Sequence, residues 1–175
     1  MCWTITPTIG ATQSLGGGVA WRTGWETGLE GGFFWLGCRR SAFRLGSLLS
    51  VNVAQFHGDA KLFLRIDALA GLRFQWRLAR NVYVGGRFLF AGRFVTDGRF
   101  PSSVSPNNGR IVKRYINFGF NIGPEVHWHV LNWLALTANL DYLFSGRHLT
   151  HDKFPEHRGQ PMHALTLRTG VAFVF

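Results

Sequence analysis

The stretch AKLFLRIDALAGLRFQWRL, residues 60–78, alternates between apolar and polar side chains along its length. Its even positions from Leu62 to Leu78 are all apolar, whereas charged side chains such as Arg65 and Asp67 stand at odd positions. Successive side chains of a β-strand point to opposite faces, so the alternation predicts a long strand with one apolar and one charged face. The alternative, a basic amphipathic helix, would scatter the apolar side chains around its circumference.

The same alternation recurs along the chain and yields eight candidate strands and no convincing amphipathic helix. Two segments are less regular, because Pro7 cannot donate to a ladder and residues 31–37 blur the alternation. Together they predict an all-β fold, an eight-stranded antiparallel up-and-down transmembrane β-barrel that forms a single domain over residues 1–175. The segments are Trp3–Ile9, Val19–Leu29, Phe43–Val53, Leu62–Leu78, Val82–Phe94, Val112–Val130, Leu134–Phe144 and His163–Phe175.

The links between the segments differ in length. Those at 38–41, 79–81 and 131–133 are tight, whereas residues 97–111 and 147–161 form long polar links. In an up-and-down barrel, alternate links lie on the same rim, so one rim would carry the tight turns and both termini. Short turns on one rim and long loops on the other are typical of outer-membrane barrels.

The composition indicates which face lies outside. Charged residues make up 16% of the chain, against about 25% in an ordinary soluble domain. No run of about 18 apolar residues occurs, which excludes a transmembrane helix, so a membrane-spanning fold has to be a closed barrel. A soluble lipocalin-like binder would have its apolar face inside. The polar faces are rich in Gly, Asn, Thr and isolated charges, unlike a solvated surface, and this favours the membrane barrel.

Large aromatic side chains on the apolar faces gather near the strand ends, as in the girdles of membrane barrels. The predicted membrane-interface aromatics are Trp76, Phe94, Trp128, Tyr142, Phe144 and Phe175.

The last segment, ALTLRTGVAFVF, alternates up to a terminal Phe175. With this strand and the alternation before it, the chain resembles the small eight-stranded outer-membrane barrel proteins, the group that includes the OmpA transmembrane domain and OmpX. The resemblance is architectural and covers nearly the whole chain. It implies the outer membrane of a Gram-negative bacterium, contact with the lipid bilayer, and recognition of the last strand by the barrel-assembly machinery. It implies no activity, because one fold hosts many functions.

An eight-stranded barrel is only wide enough to be filled by its own side chains. Charged side chains inside it need partners, so we expect a paired network with a structural role. An ion path through a narrow channel is the alternative interpretation of the same residues. Arg44, Lys113 and His127 also fall on the inward face. The predicted interior charge network is Arg22, Glu26, Glu30, Arg65, Asp67, Arg73, Arg87, Arg93, Glu125, Asp141 and Arg168.

The formal net charge of +10 indicates an anionic partner. Nucleic acid is not expected, because basic and aromatic residues alternate onto opposite faces.

We therefore predict a non-enzymatic integral outer-membrane protein with a structural or surface-interaction role, and the sequence leaves its oligomeric state open. The residues expected to contact lipopolysaccharide are Arg99, Arg110, Arg114, Arg147, Lys153 and Arg158.

A lipid A-modifying enzyme is the chemical alternative. Lipid A deacylases pair a His with a Ser two residues later on the lipid-facing side, but here Leu165 follows His163. A palmitoyltransferase-like set would use His148, Asp152 and a serine of the first long loop. The element His-x-x-His-Asp at 148–152 has metal-ligand residue types. A solvated basic loop without a metal is the expectation, and no cofactor is predicted.

Cys2 and Cys38 would both lie near the rim of tight turns. The start of the first strand is expected to pair near Leu29, so a disulfide and two unpaired thiols both stay open. The N-terminus lacks the basic-then-apolar pattern of a signal peptide. For an exported protein, we expect a mature form with an added Met or an incomplete gene start.

Overall fold

The computed structural model describes residues 1–16, 23–38, 41–58, 61–98, 113–146 and 162–175. Eight antiparallel strands each pair with their neighbours in sequence, and the first pairs with the last to close the sheet. This confirms the predicted up-and-down barrel. The strands are β1 (Cys2–Gly16), β2 (Thr23–Leu36), β3 (Phe43–Gly58), β4 (Lys61–Ala79), β5 (Val82–Gly98), β6 (Lys113–Leu131), β7 (Leu134–Ser145) and β8 (Met162–Val174).

The two ends of the barrel differ. Residues 37–42, 80–81 and 132–133 join strands at the end that carries both termini, which we name the turn end. Gly37 begins the first of these turns with a φ of 73°, a left-handed conformation that favours glycine. The opposite end, where the other four links join the strands, is the loop end. Strands of 12 to 19 residues exceed the roughly 9–11 needed to cross a bilayer with tilt.

The outside of the barrel is apolar and the inside is polar. Leu49, Phe90 and Phe118 each expose about two thirds of their surface, whereas Arg65 and Asp141 are buried. A lipocalin-like barrel would have the opposite arrangement. The apolar surface therefore faces outward, as hydrocarbon contact requires. No helix in the part of the chain that the structure describes is long and apolar enough to cross a membrane.

Pro7 is accommodated by a local gap in one ladder. The β1–β2 pairing runs through Pro7, which lies opposite Leu29. The β1–β8 pairing passes from Ile5 to Thr8 without a pair at Thr6 or Pro7. Because proline has no N–H to donate, the interruption falls on the β8 side, and the strand continues.

The second strand is longer than predicted. Its alternation continues through residues 31–35, and Phe34 points inward with 2% of its surface exposed. The guanidinium carbons of Arg44 and Arg73 lie 5.7 and 5.6 Å from the centre of the Phe34 ring. An aromatic ring on the inward face is thus covered by cations, which is a favourable arrangement. The pattern appeared blurred because an apolar side chain occupies a polar-face position.

Cys2 lies opposite Phe34, and the predicted pairing near Leu29 is wrong. Two residues directly opposite each other on adjacent strands point to the same face of the sheet. Cys2 points inward and Leu29 points outward, so the two residues cannot lie opposite each other. The correct register brings the first strand beside the β2–β3 turn. There Cys2 and Cys38 form a disulfide, with their Cα atoms 5.7 Å apart.

The orientation of the two faces predicts the effect of a new charge. Leu140 faces outward near the middle of β7, so Leu140→Arg places a cation in hydrocarbon and is expected to cost about 2–4 kcal/mol. Leu78→Arg, at the exposed turn end of β4, is expected to cost about 0–1 kcal/mol. The measurement is denaturant unfolding from phospholipid vesicles. Equal costs for the two variants would contradict an outside surface that faces lipid.

The disulfide predicts that the folded protein has no free thiol. After purification without reductant and unfolding in denaturant, maleimide labelling is expected to modify neither Cys2 nor Cys38. Labelling of both after reduction is the positive control. Stoichiometric labelling of the unreduced protein would show that the two thiols do not pair.

Candidate functional site

The inward positions of β2, β4, β5, β6, β7 and β8 carry charged side chains that fill the barrel. Each of these side chains is at most 2% exposed. Arg22, the remaining member of the predicted network, lies outside the described residues. The buried set comprises Glu26, Glu30, Arg65, Asp67, Arg73, Arg87, Arg93, Glu125, Asp141 and Arg168.

Nearest the loop end, two arginines share one carboxylate. Arg93 Nε lies 3.2 Å from Asp67 Oδ1, and Arg65 Nε lies 2.8 Å from Asp67 Oδ2. Arg65 also donates through Nη2 to Glu26 Oε2 at 2.6 Å. Glu26 Oε1 is 3.2 Å from Nη1 of Arg168, which belongs to the next group. Positive and negative groups therefore alternate in space.

Asp141 is the central carboxylate of the network. Arg87 donates to it with both Nε and Nη2, the first bond being 2.8 Å long, and Arg168 donates through Nη2. The remaining terminal nitrogen of Arg87, Nη1, donates to Glu30 Oε1 at 2.7 Å. Two arginines on different strands are thus held by one fully buried carboxylate, while Arg87 bridges two carboxylates.

Toward the turn end, Glu125 accepts three hydrogen bonds. Arg73 donates to it through Nε at 3.2 Å and Nη2 at 2.8 Å, and Gln75 donates at 2.7 Å. Arg73 Nη2 also lies 4.0 Å from Glu30 Oε2, which joins this group to the centre. The chain of ion pairs is therefore continuous from the loop-end group to the turn-end group.

The network contains as many arginines as carboxylates, five of each, and is formally neutral. Neutrality matters because an unpaired charge in a dry interior costs several kcal/mol. Glycines on the inward face make room for the long side chains. A Cβ added at Gly32 would lie 2.9 Å from Arg73 Nη1, and one at Gly119 would lie 2.7 Å from Arg93 Nη1.

Apolar side chains inside the barrel were not predicted from the sequence. Leu48, Leu69, Leu89 and Ala91 form a buried cluster on inward positions of β3, β4 and β5. Within each strand, these residues and the charged residues are both even-numbered or both odd-numbered. This shared numbering could have identified them as inward-facing from the sequence. The interior is therefore an alternating ion-pair chain beside a small apolar cluster.

The predicted interface aromatics all face outward or lie half-buried on the outer surface. Trp76 and Trp128 stand near the turn end, where Phe175 pairs with Trp3 through backbone hydrogen bonds. Trp76 packs against Phe43 at 5.2 Å between ring centres. Phe94, Tyr142 and Phe144 are half-buried in the loop-ward halves of β5 and β7.

The predicted loop contacts lie mostly outside the described residues. This applies to Arg99, Arg110, Arg147, Lys153 and Arg158. The backbone of Arg114 pairs with Thr96 in the β5–β6 ladder.

The structure describes His163, the histidine that was compared with the catalytic histidine of lipid A deacylases. His163 is half-buried on the outer surface, and its Nδ1 is hydrogen-bonded to the Tyr142 hydroxyl. Leu165, two residues later, is also outward, so the deacylase spacing is not present there. His148 and Asp152 lie outside the described residues. Among the described residues, no group of three or more His, Cys, Asp or Glu is placed to hold a metal.

No family model matches, and no curated protein matches. Several solved structures match the chain. A major outer membrane protein from Thermus thermophilus is 14% identical with a TM-score of 0.64, over 99% of both chains. Neisserial surface protein A is 13% identical with a TM-score of 0.61, over 98% of this chain and 96% of that one. Ail of Yersinia pestis is 10% identical with a TM-score of 0.57, over 99% and 97%.

At these identities the likeness concerns the fold. It confirms the architectural resemblance to small eight-stranded outer-membrane barrels that the sequence predicted. The predicted location in the outer membrane agrees with these neighbours and with the apolar outer surface. Most of the neighbours are not described as enzymes, although the outer membrane enzyme PagL shares the fold.

The network predicts a large effect of removing its central carboxylate. Asp141→Ala leaves Arg87 and Arg168 without their shared acceptor, and we expect it to lower the free energy of unfolding by about 3–5 kcal/mol. Thr169→Ala, an outward neighbour of Arg168, is the control and is expected to change stability by less than about 0.5 kcal/mol. Denaturant unfolding in detergent, followed by heat-modifiable gel migration, measures both. A cost for Asp141→Ala as small as the control's would mean that the ion pairs are not maintained.

Proposed function

We propose that this protein is a non-enzymatic outer-membrane barrel with a surface-interaction role. In this proposal the barrel is a rigid support, and its basic loops bind anionic groups at the cell surface. The anionic groups are the phosphates of lipopolysaccharide or an anionic polymer outside the cell. The observation that carries the proposal is the filled interior, because it leaves the loops as the part of the molecule that meets large partners.

The interior favours a supporting role over transport. Asp141 and Glu30 are buried at the centre of the barrel, each bound by arginines from other strands. A passage for solutes would require these ion pairs to open, at a cost of several kcal/mol. Leu48 and Leu89 fill part of the remaining interior. A barrel closed in this way is suited to hold loops in place.

The loop sequences support an anionic partner. From residue 98 to residue 114 the chain carries Arg99, Arg110, Lys113 and Arg114 and no carboxylate. Guanidinium groups bind phosphate and sulfate oxygens through two parallel hydrogen bonds, which gives both affinity and geometry. The second long loop adds further arginine and lysine residues together with Asp152 and Glu156.

A structural neighbour provides a precedent on the same fold. Ail of Yersinia pestis has been solved in complex with the heparin analogue sucrose octasulfate; that chain matches this one with a TM-score of 0.56 at 8% identity. The identity is too low to transfer residues. The precedent supports the choice of a polysulfated probe for testing the loops.

The test removes the loop charges together. A variant with Arg99, Arg110, Arg147, Lys153 and Arg158 changed to Gln is expected to bind lipopolysaccharide and heparin at least about tenfold more weakly, because each exposed cation contributes a few tenths of a kcal/mol or more. Surface plasmon resonance on protein in nanodiscs gives the affinities at two salt concentrations. The salt dependence is expected to fall along with the affinity.

A matched variant keeps this test specific. Arg39→Gln with Arg40→Gln removes two cations from the link between β2 and β3, outside both proposed anion sites, and is expected to leave heparin and lipopolysaccharide binding unchanged. Binding that persists in the loop variant, or that is lost equally in both variants, would overturn a role for the loops as the surface-interaction site.

A further inference from the structure

A polar cavity of about 700 Å³ opens at the turn end, away from the loops. Its lining contains three arginines, a histidine, a tyrosine and two asparagines, and no carboxylate. One of the arginines and both asparagines lie in the tight turns, and the other residues stand on inward positions of β3 to β6. The lining residues are Arg44, Arg77, Arg80, Asn81, Tyr83, His129 and Asn132.

Arg44 is the built-in part of this cavity. Its side chain is buried, with 4% of the residue exposed, and the guanidinium carbon lies 3.5 Å from the centre of the Tyr83 ring. Nε donates to the carbonyl of Cys38 at 3.1 Å, and Nη1 lies 3.2 Å from Nε2 of His129. In the part of the chain that the structure describes, no carboxylate forms an ion pair with Arg44. A buried cation is thus oriented by neutral groups toward a polar cavity.

The distribution of carboxylates separates this cavity from the rest of the barrel. Five of the nine acidic residues belong to the neutral interior network. The other four, Asp59, Asp97, Asp152 and Glu156, stand in the loop-end links or at the loop end of β5. The turn-end links contain arginines and no acidic side chain. The links at this end therefore add positive charge and no acidic side chain.

We propose that the turn-end cavity binds a phosphate group. Arginine forks supply paired donors to phosphate oxygens, and the asparagine amides add neutral donors at the mouth. Arg44 contributes the desolvated contact, whereas Arg77 and Arg80, which are exposed, contribute at the rim. The phosphate belongs to a small soluble ester or to a phospholipid headgroup, and titration with soluble and lipid-bound phosphates distinguishes these sources. This site is separate from the proposed loop interactions.

The disulfide helps to position Arg44. Cys38, whose carbonyl accepts the Arg44 Nε hydrogen bond, is joined to Cys2 on β1. Its backbone N–H donates to the Ser41 hydroxyl at 3.0 Å, and the Ser41 carbonyl accepts a hydrogen bond from Tyr83 at 3.2 Å. The turn therefore holds the Cys38 carbonyl, which accepts from Arg44, and also binds the hydroxyl of Tyr83, whose ring packs against the guanidinium. Replacing Cys2 and Cys38 by Ser is expected to weaken phosphate binding severalfold without removing any ligand contact.

Isothermal titration calorimetry on the protein refolded in zwitterionic detergent tests the proposal. The probes are inorganic phosphate, glycerol 1-phosphate and short-chain phosphatidylglycerol, with phosphatidylcholine of equal chain length as the lipid control. Saturable binding of the first two assigns a soluble ligand. Saturation by phosphatidylglycerol alone assigns a lipid headgroup. Binding of none of the three overturns the proposal.

Variants locate the binding. Arg44→Gln is expected to raise the Kd for the bound probe at least about tenfold, because it removes charge-assisted hydrogen bonds from a buried position. Arg44→Lys keeps the charge but loses the contacts of Nε with Cys38 and of Nη1 with His129 that orient the guanidinium, and it is expected to fall between Arg44→Gln and the original protein. Arg80→Gln, at the exposed rim, is expected to have an effect of about threefold. Heat-modifiable migration verifies that each variant is folded.

Lys61→Gln is the control, since it removes one cation from the loop end of β4, away from both proposed anion sites. An equal loss of affinity in Lys61→Gln would show that binding follows net charge and would overturn the site. Unchanged affinity in both Arg80→Gln and folded Arg44→Gln would do the same.

Discussion

Pairing of buried charges is the constraint on which this barrel depends. Eight strands enclose a space that side chains must fill, and the apolar residues are used on the outside. The inside therefore carries arginines and carboxylates, which are costly in a dry space unless each has partners. Arg87 and Arg168 meet Asp141 from different strands, so the network also ties together strands that are not adjacent in the sheet.

The charges of the protein fall into three regions with different roles. The interior is neutral, with Glu125 and Asp67 near its two ends. The loop sequences are basic and contain some acidic residues, which suits contact with anionic surfaces. The turn end has arginines around a cavity and lacks acidic side chains in its links. Because the interior is balanced, the net charge of +10 belongs to the two ends, and each end has its own proposed anionic partner.

Most of the fold was predictable, because a two-residue period is unambiguous over 12 to 19 residues. The errors arose where one side chain broke the pattern. Phe34 is an apolar residue on the polar face, so the second strand was ended too early and the register at Cys2 was misjudged. Pro7 weakened the prediction of the first strand, although it interrupts pairing with only one neighbour.

Alternation along the chain by itself determined the strands, the two faces and the set of inward charges, because strand geometry assigns every second residue to one side. The partners were decided only by the closed sheet. Glu30 and Arg87 are 57 residues apart, and Arg44 and His129 are 85 apart. No local pattern relates such residues, since their contact depends on the register of every intervening strand. The turn-end cavity likewise exists only because the closed sheet brings two separate turns and the turn end of β3 to one rim.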